Sequence, residues 1–228
     1  KTRELGVNLD DVVVLRLKDK TSKASGEALL NALRQSSFVR EVSLGSDIPF
    51  ENLNSWRVRP KGESIPDQLI NVVSIDDNYL RTLEIGINDD TPSSIYSWDQ
   101  ELSAVVNESF VRHFLITEPI GSEILINHIE QPVKIAGVVK DYHFASLHES
   151  IRPLLFYVEP SWYTRVIIKT SKNVNIKDIE AIWQGINSDS EFDYFLLENR
   201  FDNLYATEEK TGNLVAYFSF FSLLIASM

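Results

Sequence analysis

No cysteine occurs in the 228 residues. Disulfides and thiolate metal sites are thereby excluded, while the redox compartment stays open, because a cysteine-free chain suits an oxidising periplasm as well as a cytosol. Basic residues are also scarce. The 22 Lys and Arg face 33 Asp and Glu, a net charge of −11, which argues against nucleic acid or an anionic membrane surface as partner, since both select Lys/Arg-rich faces. No glycine-rich phosphate cradle is present. Glu209-Lys210-Thr211 has a Lys-Thr pair without the glycines that precede it in a P-loop, so this chain does not read as an ATP-hydrolysing motor. HExxH and GxSxG are absent as well, and Asp76-Asp77 and Asp89-Asp90 lack the spaced oxygen ligands and central glycine of a calcium loop. With 9 Gly, 8 Pro and 43% hydrophobic residues, what remains is an ordinary folded chain, long enough for one large domain or two small ones.

Apolar periodicity places the elements. Asp11 to Leu17 reads as a β-branched strand, Glu27 to Leu33 as an amphipathic helix carrying Leu29, Leu30 and Leu33, and Val39 to Leu44 as a second strand. Strands are expected around Trp56 to Arg59 and over Asp67 to Ile75, with Asp76 or Asp77 capping a short helix that directs Leu80 and Leu83 inward and closes near Gly86. From Ile87 to Gln100 the chain turns polar and loses its period, which marks a boundary. Beyond it come a strand at Leu102 to Val106, a helix capped by Asn107 with Phe110, Val111 and Phe114 on one face, and strands at Glu123 to Asn127 and Pro132 to Val139. Leu154 to Val158 and Arg165 to Lys169 resume as strands. Asn175 caps a helix with Ile176, Ile179, Ile182, Trp183 and Ile186 at helical spacing, Glu191 to Leu197 is a strand, and Asn199 opens a last helix. The pattern is α+β, with a strand–helix–strand unit at each end.

Between the strands at Pro132 and Leu154 lies a polar crossover rich in reactive side chains: Asp141, His143, Ser146, His148 and Glu149. In extended chain His143 and His148 point to opposite faces, and on a helix an offset of five does not stack them either. The segment reads as a hydrogen-bonded connector pinned to the core by Tyr142, Phe144 and Leu147, with Pro153 barring helix just before it. The tryptophans Trp56, Trp98 and Trp162, in or beside polar loops, form a candidate substrate or partner surface. Loop aromatics folding back onto the core give the competing account. Leu214 to Met228 carries no charge and is apolar all round, which reads as the start of a membrane helix, since a span takes about 20 such residues.

The run IAGVVKDYHFASLHESIRPL, preceded by VVNESFVRHF and EPIGSEI, resembles the extracytoplasmic domain of FtsX-like and macrolide-exporter (MacB-like) ABC transporter permeases. TRELGVNLDDVVVLRL is similar to the segment after the first membrane helix of these permeases, ENRFDNLYATEEKTGNL to the stalk leading back to the membrane, and YFSFFSLLIAS to the start of the second membrane helix. The stretches cover nearly the whole chain in the family's order. The resemblance implies a membrane-proximal, porter-like α+β subdomain made of residues 1–86 and 151–198. It also implies an inserted smaller α+β subdomain at 87–150, and a stalk with a truncated transmembrane helix at 199–228. It further implies a hinge between the subdomains at Gly137, Asp141, Tyr142, His143, Phe144, Leu147, His148 and Pro153, and a stalk carrying Phe201, Leu204, Tyr205 and Gly212. The implied setting is the inner membrane, with this domain in the periplasm. An ABC ATPase on another chain or elsewhere in the parent protein, permease self-association, and in some members a periplasmic adaptor and an outer-membrane component are the implied partners. No catalytic, metal-binding or cofactor residue is implied. Two rival readings are a ligand-sensing receptor ectodomain and a soluble hydrolase using Asp141 to Glu149.

Overall fold

The computed structural model describes residues 5–18, 24–51, 53–63, 65–92, 95, 102–145 and 149–203. The first strand, β1 (Val12–Arg16), is followed by α1 (Gly26–Arg34) and β2 (Val39–Gly45). The chain then runs through β3 (Asn54–Pro60), β4 (Gln68–Ser74), the single turn α2 (Tyr79–Thr82), β5 (Ser103–Asn107), α3 (Glu108–His113), β6 (Glu123–Ile126), β7 (Val133–Val139) and β8 (Leu154–Tyr157). After a 3-10 turn at Pro160–Trp162 come β9 (Arg165–Thr170), α4 (Ile176–Ile186) and β10 (Tyr194–Leu196), and residues 197–203 are helical. Among the described residues no helix is long and apolar enough to cross a membrane. The apolar run from Leu214, and with it Leu204, Tyr205 and Gly212, lies outside them.

Strand pairing makes two bodies. One is an antiparallel sheet in the order β10-β1-β9-β2, which joins β1–α1–β2 to β9–α4–β10; the other is a closed barrel, β3-β4-β8-β5-β7-β6. Because strand side chains alternate, each valine of β1 serves one face only. Val13 and Leu15 pack with Leu29, Leu30 and Leu33 of α1 and with Ile179 and Trp183 of α4. Val12 and Val14 turn the other way, and with Ile167 they join Val73, Val105, Val139 and Phe156 from the barrel. A third cluster, including Val58, Ile70, Val72, Val106, Ile135 and Leu155, is built from barrel strands with α3 and Phe114 at its end. Each such side chain removed from water contributes about 1.5–3 kcal/mol, so the barrel and the sheet each have a core and share one between them.

The pairing draws the internal boundary elsewhere than at residues 86 and 150. β3 and β4, placed by the sequence pattern with the N-terminal unit, and β8, placed with the C-terminal one, are barrel strands. β4 runs parallel to β8 with Val72 opposite Leu155, and β8 also pairs with β5. A parallel pair so far apart in the chain leaves no local signal. All the strands between β2 and β9 in the chain are therefore barrel strands. Local departures have local causes. Asn78, not an aspartate, holds the N-cap position of α2 and makes no side-chain cap, while Asp76 accepts from the Asn78 N–H. The last strand is shorter than Glu191 to Leu197, because the β1–β10 register runs only from Leu15 opposite Tyr194 to Val13 opposite Leu196.

Candidate functional site: the seam between sheet and barrel

The connector at residues 140–153 leaves β7 and re-enters the barrel at β8. Both flanking strands belong to the barrel. The connector lines the seam. Tyr142 and Phe144, 1% and 2% exposed, fill the core shared by the two bodies, with the Tyr142 ring 5.8 Å from Phe144 and stacked 6.5 Å from Phe156. Burial pushes the Tyr142 hydroxyl far above its ordinary range. Several main-chain groups of its described residues are tied down. The N–H of Lys140 donates to Gly86 O, that of Asp141 to Glu108 Oε2 and that of His143 to Leu5 O, while Phe144 O accepts from Phe50 N–H at 2.7 Å. Asp141 accepts from the N–H and hydroxyl of Ser109 at 2.9 and 2.8 Å and is ion-paired with Arg112. At the far end, Asn107 caps α3, accepts from Leu154 N–H and donates to Arg152 O beside Pro153. A carboxylate already engaged by arginine and two serine donors is poorly placed to act as a base, and no hydrogen bond joins the His143 ring to it among the described residues. Leu147 and His148 lie outside those residues.

Gly137 has a steric reason. A Cβ there would stand 1.9 Å from Ile95 Cδ1 and 2.8 Å from Thr91 Cγ2. The Thr91 hydroxyl both accepts from Val138 N–H and donates to Val138 O, binding Thr91 onto β7. Gly6, with φ +73°, allows the N-terminal segment to cross directly over Asp141 and Tyr142.

The covalent links between the bodies are residues 46–53 and 158–164, and polar side chains lace them together. Ser46 N–H donates to Ser74 O, the Ser74 hydroxyl donates to Glu159 O and accepts its N–H, and the Thr164 hydroxyl donates to Ser46 O at 2.6 Å. Tyr163 reaches Ile75 O and Tyr79 reaches Asp47 O. Phe50 occupies the left-handed region at φ +68°, uncommon for an aromatic residue. Its ring lies 4.9 Å from Phe201 of the terminal helix, and neighbouring Glu51 holds Arg165 of β9 at 3.2 Å and Arg200 of the helix at 3.7 Å. Sheet, barrel connector and terminal helix thus converge on Phe50 and Glu51.

Beside the crossovers a cavity of about 850 Å³ opens between α1 and the Pro160–Tyr163 turn, with Leu30 and Leu44 along one wall and Asp76 in another. Asp76 takes the Leu44 N–H at 2.9 Å and the Asn78 N–H at 3.1 Å, and its own N–H returns to Leu44 O. Burial pushes its carboxyl up to about 6, against the opposing pull of those two N–H donors.

No family model matches the sequence, and no curated protein matches it. Among solved structures, the periplasmic region of MacB from Actinobacillus actinomycetemcomitans superposes over 88% of this chain and 94% of its own, with TM-score 0.58 and 13% identity. The extracellular domain of the noncanonic ABC-type transporter YknZ from Gram-positive bacteria covers 80% of this chain and 97% of its own, at TM-score 0.54 and 17% identity. A domain assigned to a permease protein from Porphyromonas gingivalis covers 81% and 88%, at 0.50 and 11%. The chain has a MacB-like periplasmic fold. Within this MacB-like fold Trp56 and Trp162 come together, ring centroids 5.2 Å apart and edge to face, with His128 and Tyr157 against Trp56. Trp56 is buried and Trp162 is 36% exposed, and Trp98 lies outside the described residues. Phe50, Glu51, Ser46, Ser74 and Thr164 were invisible as a group, because none belongs to a motif and their partners are distant in sequence. The signal that was available, Asp76 beside Asp77, pointed to a helix cap.

Proposed function

We propose that the chain is the extracytoplasmic domain of an ABC transporter permease, held at the inner membrane and facing the periplasm. There it couples ATP-driven motion of membrane helices to substrate export or to engagement of a partner outside the membrane. The observation that carries this reading is the end-to-end match to the MacB periplasmic region, over 88% of one chain and 94% of the other. In this account the sheet with α1 and α4 is the membrane-proximal, porter-like subdomain, and the barrel is the inserted one. The helix beginning at residue 197 is the first turn of a stalk that continues through Leu204, Tyr205 and Gly212. The crossovers at 46–53 and 158–164 are the flexing links, and the connector from Gly137 to Pro153 is the bearing on which the sheet sits. Trp162, set against buried Trp56, offers a surface to substrate or to an adaptor, and the ATPase is supplied by another chain or by another part of the parent protein.

The chain lacks cysteine, so Leu115→Cys, at a position 86% exposed, reports which side of the membrane the barrel occupies. In spheroplasts expressing the parent protein, freed of any other cysteine, a membrane-impermeant maleimide labels it without lysis, and an ATP-hydrolysing subunit or domain accompanies the purified protein. Labelling only after lysis, or purification with no ATPase activity, contradicts the proposal.

A further inference from the structure

Asp76 is a half-buried carboxylate held by main-chain donors, with Arg34 of α1 on the same cavity. Among the described residues it forms no ion pair, and its partners are the N–H groups of Leu44 at the end of β2 and of Asn78 at the start of α2. Those two donors lie on different bodies. β2 belongs to the sheet, whereas Asn78 opens the turn that follows barrel strand β4. The same residue extends the contact through its main chain, with Asp76 N–H on Leu44 O next to the isolated Gly45–Ile75 bridge. Gly45 is fitted to this approach, since a Cβ there would stand 2.9 Å from the buried Tyr79 ring. The carboxyl also borders the open cavity between α1 and the Pro160–Tyr163 turn, so protons can reach it.

We propose that Asp76 is a proton-operated latch on the joint between sheet and barrel: protonated, it keeps the β2–Asp76 contact closed; ionised, it favours opening of that contact towards water.

The charges around it act in both directions. Arg34 of α1 draws Asp76 towards the ionised form, and adjacent Asp77 opposes it. Glu27 of α1 lines the same cavity and adds negative charge, and Tyr163 and Tyr79 are held neutral, both pushed upward first by burial. Glu159 of the second crossover acts on Tyr163, adding to its upward shift. At Asp76 burial outweighs the rest and raises the group to about 6 from 3.8. A closed joint with that value and an open joint with the ordinary one are linked. As pH rises past about 4 the open form binds fewer protons than the closed form, so the closed form loses ground until pH exceeds the raised value. The proposal is independent of the permease reading.

Hydrogen exchange on the 228-residue chain tests it, with rates corrected for the intrinsic pH dependence. Between about pH 5 and pH 7.5, the protection of the Leu44, Ser46 and Asp76 amides falls roughly tenfold relative to the sheet-interior amides of Val13 and Ile167. In Asp76→Asn, uncharged throughout, that relative protection no longer changes with pH. Equal relative protection at the two pH values in the unaltered chain, or a pH dependence that survives in Asp76→Asn, overturns the latch. Should the variant fail to fold, the carboxyl carbon of Asp76 in the unaltered chain decides by NMR titration. A midpoint near 6 agrees with the proposal, and one near 4 contradicts it.

Discussion

The connector at 140–153 and the crossovers at 46–53 and 158–164 are both loops between strands, both line the same seam, and they differ in what holds them. The connector is fixed by buried rings and by a carboxylate whose charge is met by Arg112. The crossovers are fixed by hydroxyls, main-chain groups and, at their edge, a carboxylate held by two main-chain N–H groups with no ion pair among the described residues. Aromatic packing gives the first a stiffness that is indifferent to pH. The second is laced by bonds each worth about 1 kcal/mol net, a scale on which small changes in conditions decide whether a contact is made. Richness in chemical side chains does not by itself mark a joint. Most polar groups of the connector are spent on holding it still.

The comparison can be broken most forcefully at Tyr142. Truncation to alanine should cost about 3–5 kcal/mol in denaturant unfolding, as for other fully buried aromatics, and should reduce the protection of both bodies because the ring lies in their shared core. Gly137→Ala comes next, at about 1–3 kcal/mol from overpacking against Ile95 and Thr91. Adding Ile95→Ala should recover part of that loss, and a double-mutant cycle with no coupling would show that the contact is not the cause.

The pH dependence sharpens the difference. Because the Asp76 carboxyl is raised in the folded protein to about 6 from 3.8, its protonated form is favoured by folding. Its contribution to stability is complete below about pH 4 and is lost as pH rises through about 6, a change of at most about 3 kcal/mol. Asp76→Asn should flatten this part of the stability profile, whereas Asp141→Asn in the connector should lower stability by about 1.5–3 kcal/mol through its charged hydrogen bonds and leave that part in place. The smallest effect is expected at Arg200, 40% exposed. Arg200→Ala should cost about 1 kcal/mol or less while increasing exchange at the start of the terminal helix.

Much of the fold was legible because its elements obey simple periods. The leucines of α1, the caps at Asn107 and Asn175 and the β-branched runs of β1, β7 and β9 all stand where periodicity puts them. Barrel closure was not legible. It depends on β3 meeting β6 and β4 meeting β8, pairings between distant segments that carry no local mark. For the same reason the sequence pattern did not group β3, β4 and β8 with the strands between them. The seam was half legible: Tyr142 and Phe144 stood out as core anchors, while Phe50 looked like one aromatic among many until its backbone at φ +68° placed its ring on Phe201. Trp56 and Trp162 were singled out with Trp98 as one surface, and the fold sets those two rings edge to face.

The most direct test of the coupling account is a distance between the two bodies. The chain lacks cysteine, so Lys177→Cys on α4 and Leu115→Cys on the barrel can carry a spin-label pair in the parent permease assembled with its ATPase. The account predicts that the distance distribution shifts between the nucleotide-free and ATP-bound states, and that replacing Phe201 with alanine weakens the shift. One unchanged distribution in both states would contradict it.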